Sequence, residues 1–308
     1  MYDIIVIGAG PAGLTAALYA RRAEKSVLVL ERDTFGGQIT HSPRVENYPG
    51  FLAMSGNEFA EKLIDQVLEQ GGEIDLDEVM GIEGTAGSYT VLGQDKKYYA
   101  RAVIIATGSH HRQLGVEGEN RFVGEGISYC AVCDGAFYKG KTVAVIGGGN
   151  SALQDAVLLS EVCPKVYVVQ NLAYLTGEKS LVGILEKREG VEFIYSSTVE
   201  EILGDESFRG IKIKNAQSGE VRTLELDGMF VAIGQVPANG PFKDAVSLND
   251  YGYVIADESC VPTAAGSFDT RGVFVAGDCR SKAVRQVTTA TADGAVSALA
   301  AIRFLDSL

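Results

Sequence analysis

Two cysteines and a carboxylate stand within five residues: Cys130, Cys133 and, immediately after, Asp134. A two-residue spacer lets the first cysteine sit at the start of a helix and exchange with the second as a reversible disulfide. Two other uses compete with that one. Zinc needs four ligands, and this pair with only His41, His110 and His111 elsewhere supplies them poorly, so no metal site is expected. The second alternative is two unrelated buried side chains. No histidine flanks the pair in sequence, so Asp134 is the candidate proton carrier for a thiolate, with helix capping as its bland alternative. Cys163, Cys260 and Cys279 are scattered and are expected to be inert. An odd count of five in 308 residues does not resemble a secreted disulfide framework.

Phosphate binding is the second chemistry in the sequence. Gly8-Ala9-Gly10-Pro11-Ala12-Gly13 lies between an apolar run at 2–7 and an Ala-rich stretch at 14–22, and a further apolar run at 27–30 ends on Glu31. Strand, glycine turn, helix, strand and acid are the parts of a dinucleotide-binding unit. Gly8 allows the tight turn, Gly10 the approach of a pyrophosphate, and Gly13 close packing of helix on strand. The helix start then offers N–H groups and a partial positive charge to phosphates. Glu31 is suited to accept from ribose hydroxyls. A second unit begins at 143–146; its turn at 147–152 reads Gly-Gly-Gly-Asn-Ser-Ala, followed by a helix at 153–159 and a strand at 166–169. That strand ends on Gln170 and Asn171, with no acid for a nicotinamide ribose, and 172–178 hold no arginine for a 2′-phosphate. The second fold is therefore expected to be a retained scaffold that binds no nicotinamide.

The elements that must position these groups repeat in the same way. An apolar strand at 102–105 runs into Ala106-Thr107-Gly108, and 231–234 mirror that pattern late in the second unit. Polar, Gly-bearing stretches at 113–119 and 235–241 read as hinges. Residues 272–278 are again strand, glycine and acid, and 288–305 an Ala-rich helix with small residues on one side. The fold class is α/β, with two Rossmann-like dinucleotide-binding domains. Residues 1–115 and 241–308 form the first domain, and 116–240 are inserted into it as the second.

A formal net charge of −13 argues against nucleic acid as a partner, which needs a basic footprint. No run of 18 apolar residues is present and the N-terminus carries no basic signal segment, so a cytoplasmic protein without membrane contact is expected. Glycine is 37 of 308, about 12% against a usual ~7%, an excess that points to tight turns and close backbone approaches.

The motifs just described occur together with Glu31 to Gln38, Val45 to Gly50, Ala276-Gly277-Asp278 and Arg285-Gln286-Val287 ahead of Gly294. In this combination the sequence resembles the low-molecular-weight thioredoxin reductases, FAD-dependent pyridine nucleotide-disulfide oxidoreductases, over essentially its full length. The resemblance implies FAD in the first domain, contacted by 31–38 and 278–287. On matching positions its binding residues are Gly8, Gly10, Pro11, Ala12, Gly13, Glu31, Arg32, Gly36, Gly37, Gln38, Asn47, Thr107, Gly108, Asp278, Arg285, Gln286 and Val287. It also implies a redox disulfide between Cys130 and Cys133, thioredoxin as the partner, and a homodimer. Electrons would pass from reduced flavin to the disulfide, and the inserted domain would rotate on its hinges to offer the dithiol to thioredoxin.

The NADPH-using members carry a His-Arg-Arg motif and a later arginine that grip the 2′-phosphate. Here those positions read Gln170-Asn171-Leu172 and a stretch without arginine, which removes the charged contact that selects phosphate. NADPH is therefore not the expected donor. The pattern resembles the ferredoxin-dependent flavin thioredoxin reductases, in which reduced ferredoxin feeds single electrons to the flavin. NAD(P)H held in an unusual way, and a non-catalytic flavin-bound redox sensor, are the alternatives. Ferredoxins are acidic, as this chain is, so a local basic patch is needed for docking. Arg280, Lys282 and Arg285 are the candidates for it, with FAD contacts or a solvated edge as the competing reading.

Overall fold

The computed structural model describes residues 1–42 and 44–308. The chain divides into two units, Met1–His110 with Val236–Leu308, and His111–Gln235. The second is inserted into the first, but the crossings fall at 110/111 and 235/236, not at 115/116 and 240/241. The expected hinge at 113–119 belongs to the second unit. Glu119, 3% exposed, fastens it there by accepting from the N–H groups of Leu114 (2.9 Å) and Gly115 (3.0 Å) and from the Tyr129 hydroxyl (2.8 Å).

In the first unit the strands run in the order Glu73–Leu76, Val27–Glu31, Tyr2–Ile7, Lys97–Ile105, all parallel. The long strand Lys97–Ile105 is shared. Its first half pairs antiparallel with Ser88–Gly93, which pairs in turn with Val79–Thr85, and its last residues pair parallel with Val273–Val275. The apolar run at Tyr2–Ile7 is continuous because both faces are covered: Ile4 and Val6 enter one apolar cluster, Ile5 and Ile7 another. The helices Pro11–Arg22 and Val287–Asp306 pack on the first of these faces through small residues, among them Ala16, Ala17, Ala298 and Ala301.

The second unit repeats the plan. Val191–Ile194, Lys165–Val169, Thr142–Ile146, Gly228–Val231 and Ile127–Ser128 form a parallel five-stranded sheet. The helix Asn150–Leu159 follows the glycine turn, and Ser197–Leu203, Gly210–Asn215 and Val221–Glu225 make an antiparallel meander. Two α/β dinucleotide-binding folds are thus present. Among the described residues no helix is long and apolar enough to cross a membrane.

Candidate functional site

The glycine turn of the first unit is built as the spacing requires. Gly8 has φ +110°, and a Cβ there would sit 2.3 Å from the Ala106 carbonyl oxygen, so a side chain is excluded by both torsion and space. Gly10 is the N-cap of Pro11–Arg22 and no side chain caps the helix, which leaves its first N–H groups for a ligand. Glu31 braces the same turn. Its Oε2 accepts from Ala9 N–H at 2.8 Å and its Oε1 from the N–H groups of Arg32 (3.0 Å) and Asp33 (3.1 Å). Gly36 N–H donates to Ala9 O at 2.8 Å, bringing Gly36 and Gly37 over Gly10, while Arg32 and Gln38 are exposed.

The later motifs close on this turn from the rest of the unit. Asn47 donates to the Gln286 side chain at 3.2 Å, and Val287 packs on the cluster of Ile39, Val45 and Phe59. Thr107 donates to Asn239 at 3.0 Å, and Asn239, 1% exposed, donates to the carbonyls of Gly252 (2.9 Å) and Cys279 (2.7 Å). Gly108 has φ +66° with open space around it. Asp278 is the informative member. Its Oδ1 is buried without a partner, and burial pushes its carboxyl up to about 6, against the opposing pull of Lys282 and Arg285. An orphaned buried acceptor next to an uncapped helix start fits a hydroxyl-rich dinucleotide such as FAD.

Arg280, Lys282 and Arg285 do not form a surface patch. Asp293, on the helix Val287–Asp306, pairs with Arg280 at 3.0 Å and with Lys282 at 2.9 Å, and both cations are about a tenth exposed (10% and 11%). Arg285 lies over the Tyr253 ring at 4.0 Å and donates to the Asp278 carbonyl at 3.4 Å. The three side chains are spent inside the unit, which corrects the docking expectation.

In the second unit the turn is a copy: Gly147 has φ +130°, and its Cβ would sit 2.5 Å from the Ala232 carbonyl oxygen. The residue in the place of Glu31 differs in use as well as charge. Gln170, 5% exposed, packs under Gly148, donates to Tyr174 O at 3.2 Å and accepts from Asn171 N–H at 3.1 Å. Its amide is committed to its own loop.

Cys130 and Cys133 are joined as a disulfide, with Cα atoms 5.3 Å apart. The strand Ile127–Ser128 delivers the chain to Cys130, the N-cap of the short helix Ala131–Asp134. Cys133 N–H donates to the Cys130 sulfur at 3.2 Å, and between the two cysteines, both half-buried, Val132 is 60% exposed. Asp134 accepts from the Ser128 hydroxyl at 2.6 Å through Oδ2, while its Oδ1 is buried without a partner. Burial pushes the Asp134 carboxyl up and the Ser128 bond pulls it back. Asp134 stands at the N-cap of the turn Gly135–Tyr138, but its side chain makes no capping hydrogen bond there. Ser128 carries no motif signal; only its position two residues before Cys130 marks it. Cys163, Cys260 and Cys279 are buried free thiols, each pushed up to about 11 by burial. Among the described residues no group of three or more metal-ligating side chains gathers.

A family model for pyridine nucleotide-disulphide oxidoreductases matches residues 2–294. The thioredoxin reductase of Listeria monocytogenes is 39% identical over 100% of this chain and 95% of its own. The crystal structure of the Streptococcus pyogenes thioredoxin reductase superposes with a TM-score of 0.93 at 38% identity, covering 100% of this chain and 99% of that one. The ferredoxin-flavin thioredoxin reductase of Clostridium acetobutylicum matches at 30% identity with a TM-score of 0.53, over 100% and 99% of the two chains. The similarity does not single out the ferredoxin-dependent branch. Full-length identity of this order, on two glycine turns and one closed Cys-x-x-Cys, means that the chain belongs to the pyridine nucleotide-disulphide oxidoreductase family, among its thioredoxin reductases.

Proposed function

We propose that this chain reduces the disulfide of a thioredoxin through FAD held by the first unit and the Cys130–Cys133 pair of the second. The observation that carries the reading is the closed disulfide on a short helix with a buried, half-satisfied carboxyl, Asp134, directly after it. When bound, the flavin supplies the electron pair that opens the disulfide. The first glycine turn and the N–H groups of Ala12 and Gly13 would hold the pyrophosphate, Glu31 the adenosine side, and Asp278 a hydroxyl of the linking chain. Asp134 would take a proton from a thiol so that the sulfur can attack the partner. The family resemblance supports a homodimer as the working form, which sedimentation at micromolar concentration tests.

For the donor, we favour a one-electron protein of the reduced-ferredoxin type. The support is Gln170: an acid is missing, the amide that replaces it is turned into its own loop, and no arginine stands at 171–178. One observation favours NAD(P)H instead. The second turn keeps its geometry, and the helix Asn150–Leu159 has Gly149 as N-cap with no side-chain cap. Anaerobic mixing of the oxidised holoenzyme with NADPH, NADH or chemically reduced ferredoxin, followed by flavin bleaching, decides between them. Rapid bleaching by ferredoxin alone is expected, and rapid bleaching by micromolar NADPH overturns the donor reading. An insulin-reduction assay with thioredoxin and the effective donor separates an enzyme from a flavin-bound sensor.

A further inference from the structure

We propose that Ser128 is a positioning residue for proton transfer at the Cys130–Cys133 pair, holding the Asp134 carboxyl and fixing which of its oxygens exchanges the proton. The proposal rests on the disulfide-reductase reading above. Ser128 is 5% exposed, and its one hydroxyl is bonded on both sides of the disulfide helix. It donates to Asp134 Oδ2 at 2.6 Å and accepts from the N–H of Cys130 at 3.1 Å. A hydroxyl has a single hydrogen. With that hydrogen on Oδ2, the Cys130 N–H takes a lone pair, and the alternative donation to Cys130 O is the longer contact at 3.4 Å. Oδ1 is then the remaining proton site on the carboxyl, buried and unpartnered. A buried acceptor left without a partner is costly, and such groups persist where they act.

Burial and the Ser128 bond are what act on the Asp134 carboxyl. Tyr138, on the turn that follows, feels Asp134 and Asp227, and burial with those charges pushes its phenol up to about 12. Asp227 accepts from the Thr142 N–H, and Lys141 lies over the Tyr138 ring at 5.2 Å. The helix Asn150–Leu159, whose Ala152 and Ala156 pack in one cluster with Ala131, contributes Asp155, pushed up to about 7 by burial alone. Tyr129 is committed to Glu119. None of these neighbouring groups supplies the hydrogen bond that Ser128 gives Asp134.

The step balances within the dithiol and its disulfide substrate. One thiol S–H breaks, its proton goes to Asp134 Oδ1, and its electron pair forms a bond to the partner's sulfur. The partner's other sulfur leaves with the electrons of the broken S–S bond. The second cysteine then closes the Cys130–Cys133 disulfide and releases the partner. The two protons of the dithiol end on the two leaving sulfurs, one of them by way of Oδ1.

The test is the pH profile of iodoacetamide alkylation of the dithiothreitol-reduced holoenzyme after the reductant is removed. A thiol coupled to a carboxyl titrates with two midpoints that belong to the pair. Ser128→Ala removes a bond that favours the ionised carboxyl, so the lower midpoint rises by about one pH unit. Ser128→Thr keeps the hydroxyl and the wild-type midpoint. Asp134→Asn removes the lower midpoint, and adding Ser128→Ala to it changes nothing further. If Ser128→Ala loses its melting transition, Ser128→Gly carries the same reading without the hydroxyl. An unmoved lower midpoint in a folded Ser128 variant, or the same shift in the Asp134→Asn background, overturns the proposal. No thioredoxin enters this measurement. A coupled profile in a chain that reduces no thioredoxin refutes the reductase reading alone, and turnover with an unmoved profile refutes the Ser128 assignment alone.

Discussion

Among the described residues two carboxyl oxygens, on Asp134 and Asp278, are buried without partners, and the proposed function gives each a different half of the chemistry. For Asp278 the consequence is a pH dependence. Its folded-state value of about 6 stands above the ordinary carboxylate value of ~3.9, so the folded protein binds the proton more tightly than the unfolded chain. That contribution to stability is complete below the ordinary range and is lost as pH rises through about 6. The urea midpoint of the flavin-free protein should therefore fall between about pH 4 and 6 relative to Asp278→Asn, which has no charge to bury. Parallel midpoints for the two proteins would show that Asp278 does not titrate there. The cysteine pair makes a sharper prediction: Cys130→Ser and Cys133→Ser each keep the flavin spectrum and lose thioredoxin reduction by at least ~100-fold, read in the insulin assay. Residues with a fixed local signature, such as Gly8 and the Cys130–Cys133 pair, were legible in the sequence because backbone torsion or disulfide pairing limits what can stand there. Ser128 and Asn239 were not. Each bonds partners brought together by the fold, and a lone serine or asparagine in sequence carries no mark of its partners.

Elements were legible where two independent signals coincide. The strand Tyr2–Ile7 and the helix Pro11–Arg22 follow from a continuous apolar run and a glycine turn in register, and the same pairing identifies the second unit. The hinge at 113–119 rested on composition alone; the stretch lies inside the second unit, where the buried Glu119 carboxylate ties it down. Composition does not reveal a side chain bonding its own backbone. The small-residue face of Val287–Asp306 has a use that composition suggested but did not locate. A Cβ on Gly294 would meet the Ala12 carbonyl oxygen at 2.2 Å, so the helix there lies against the start of Pro11–Arg22 at backbone distance. Gly294→Ala should cost about 2 kcal/mol by forcing that contact apart, lowering the melting temperature by roughly 5 °C. Gly183→Ala is the control of opposite sign. It sits in the helix Lys179–Leu185 with nothing within 4 Å of its Cβ, and should gain about 0.5–1 kcal/mol by restricting the unfolded chain. Equal effects at the two sites would remove the packing argument.

At the scale of the whole molecule, charge decides how the proposed electron-donating protein would be met. The net charge is −13, and the three cations expected to offset it locally are turned inward: Arg280 and Lys282 share Asp293, and Arg285 lies on Tyr253. A buried pair of this kind contributes to packing and position rather than to a surface field, and removing one member leaves the other uncompensated. Lys282→Glu therefore sets a carboxylate against Asp293 and should lower the melting temperature, instead of selectively slowing a donor. The proposed acidic donor would then approach a chain of its own sign, and long-range repulsion, not attraction, is what salt would screen. Flavin bleaching by reduced ferredoxin in stopped flow should accelerate, about two- to tenfold, as ionic strength rises from ~10 to ~150 mM. Bleaching that slows with salt would mean that an attractive basic surface lies elsewhere on the molecule. The direction of that slope separates the two cases without any variant, and the Lys282→Glu melting curve checks independently that the cluster acts inside the fold.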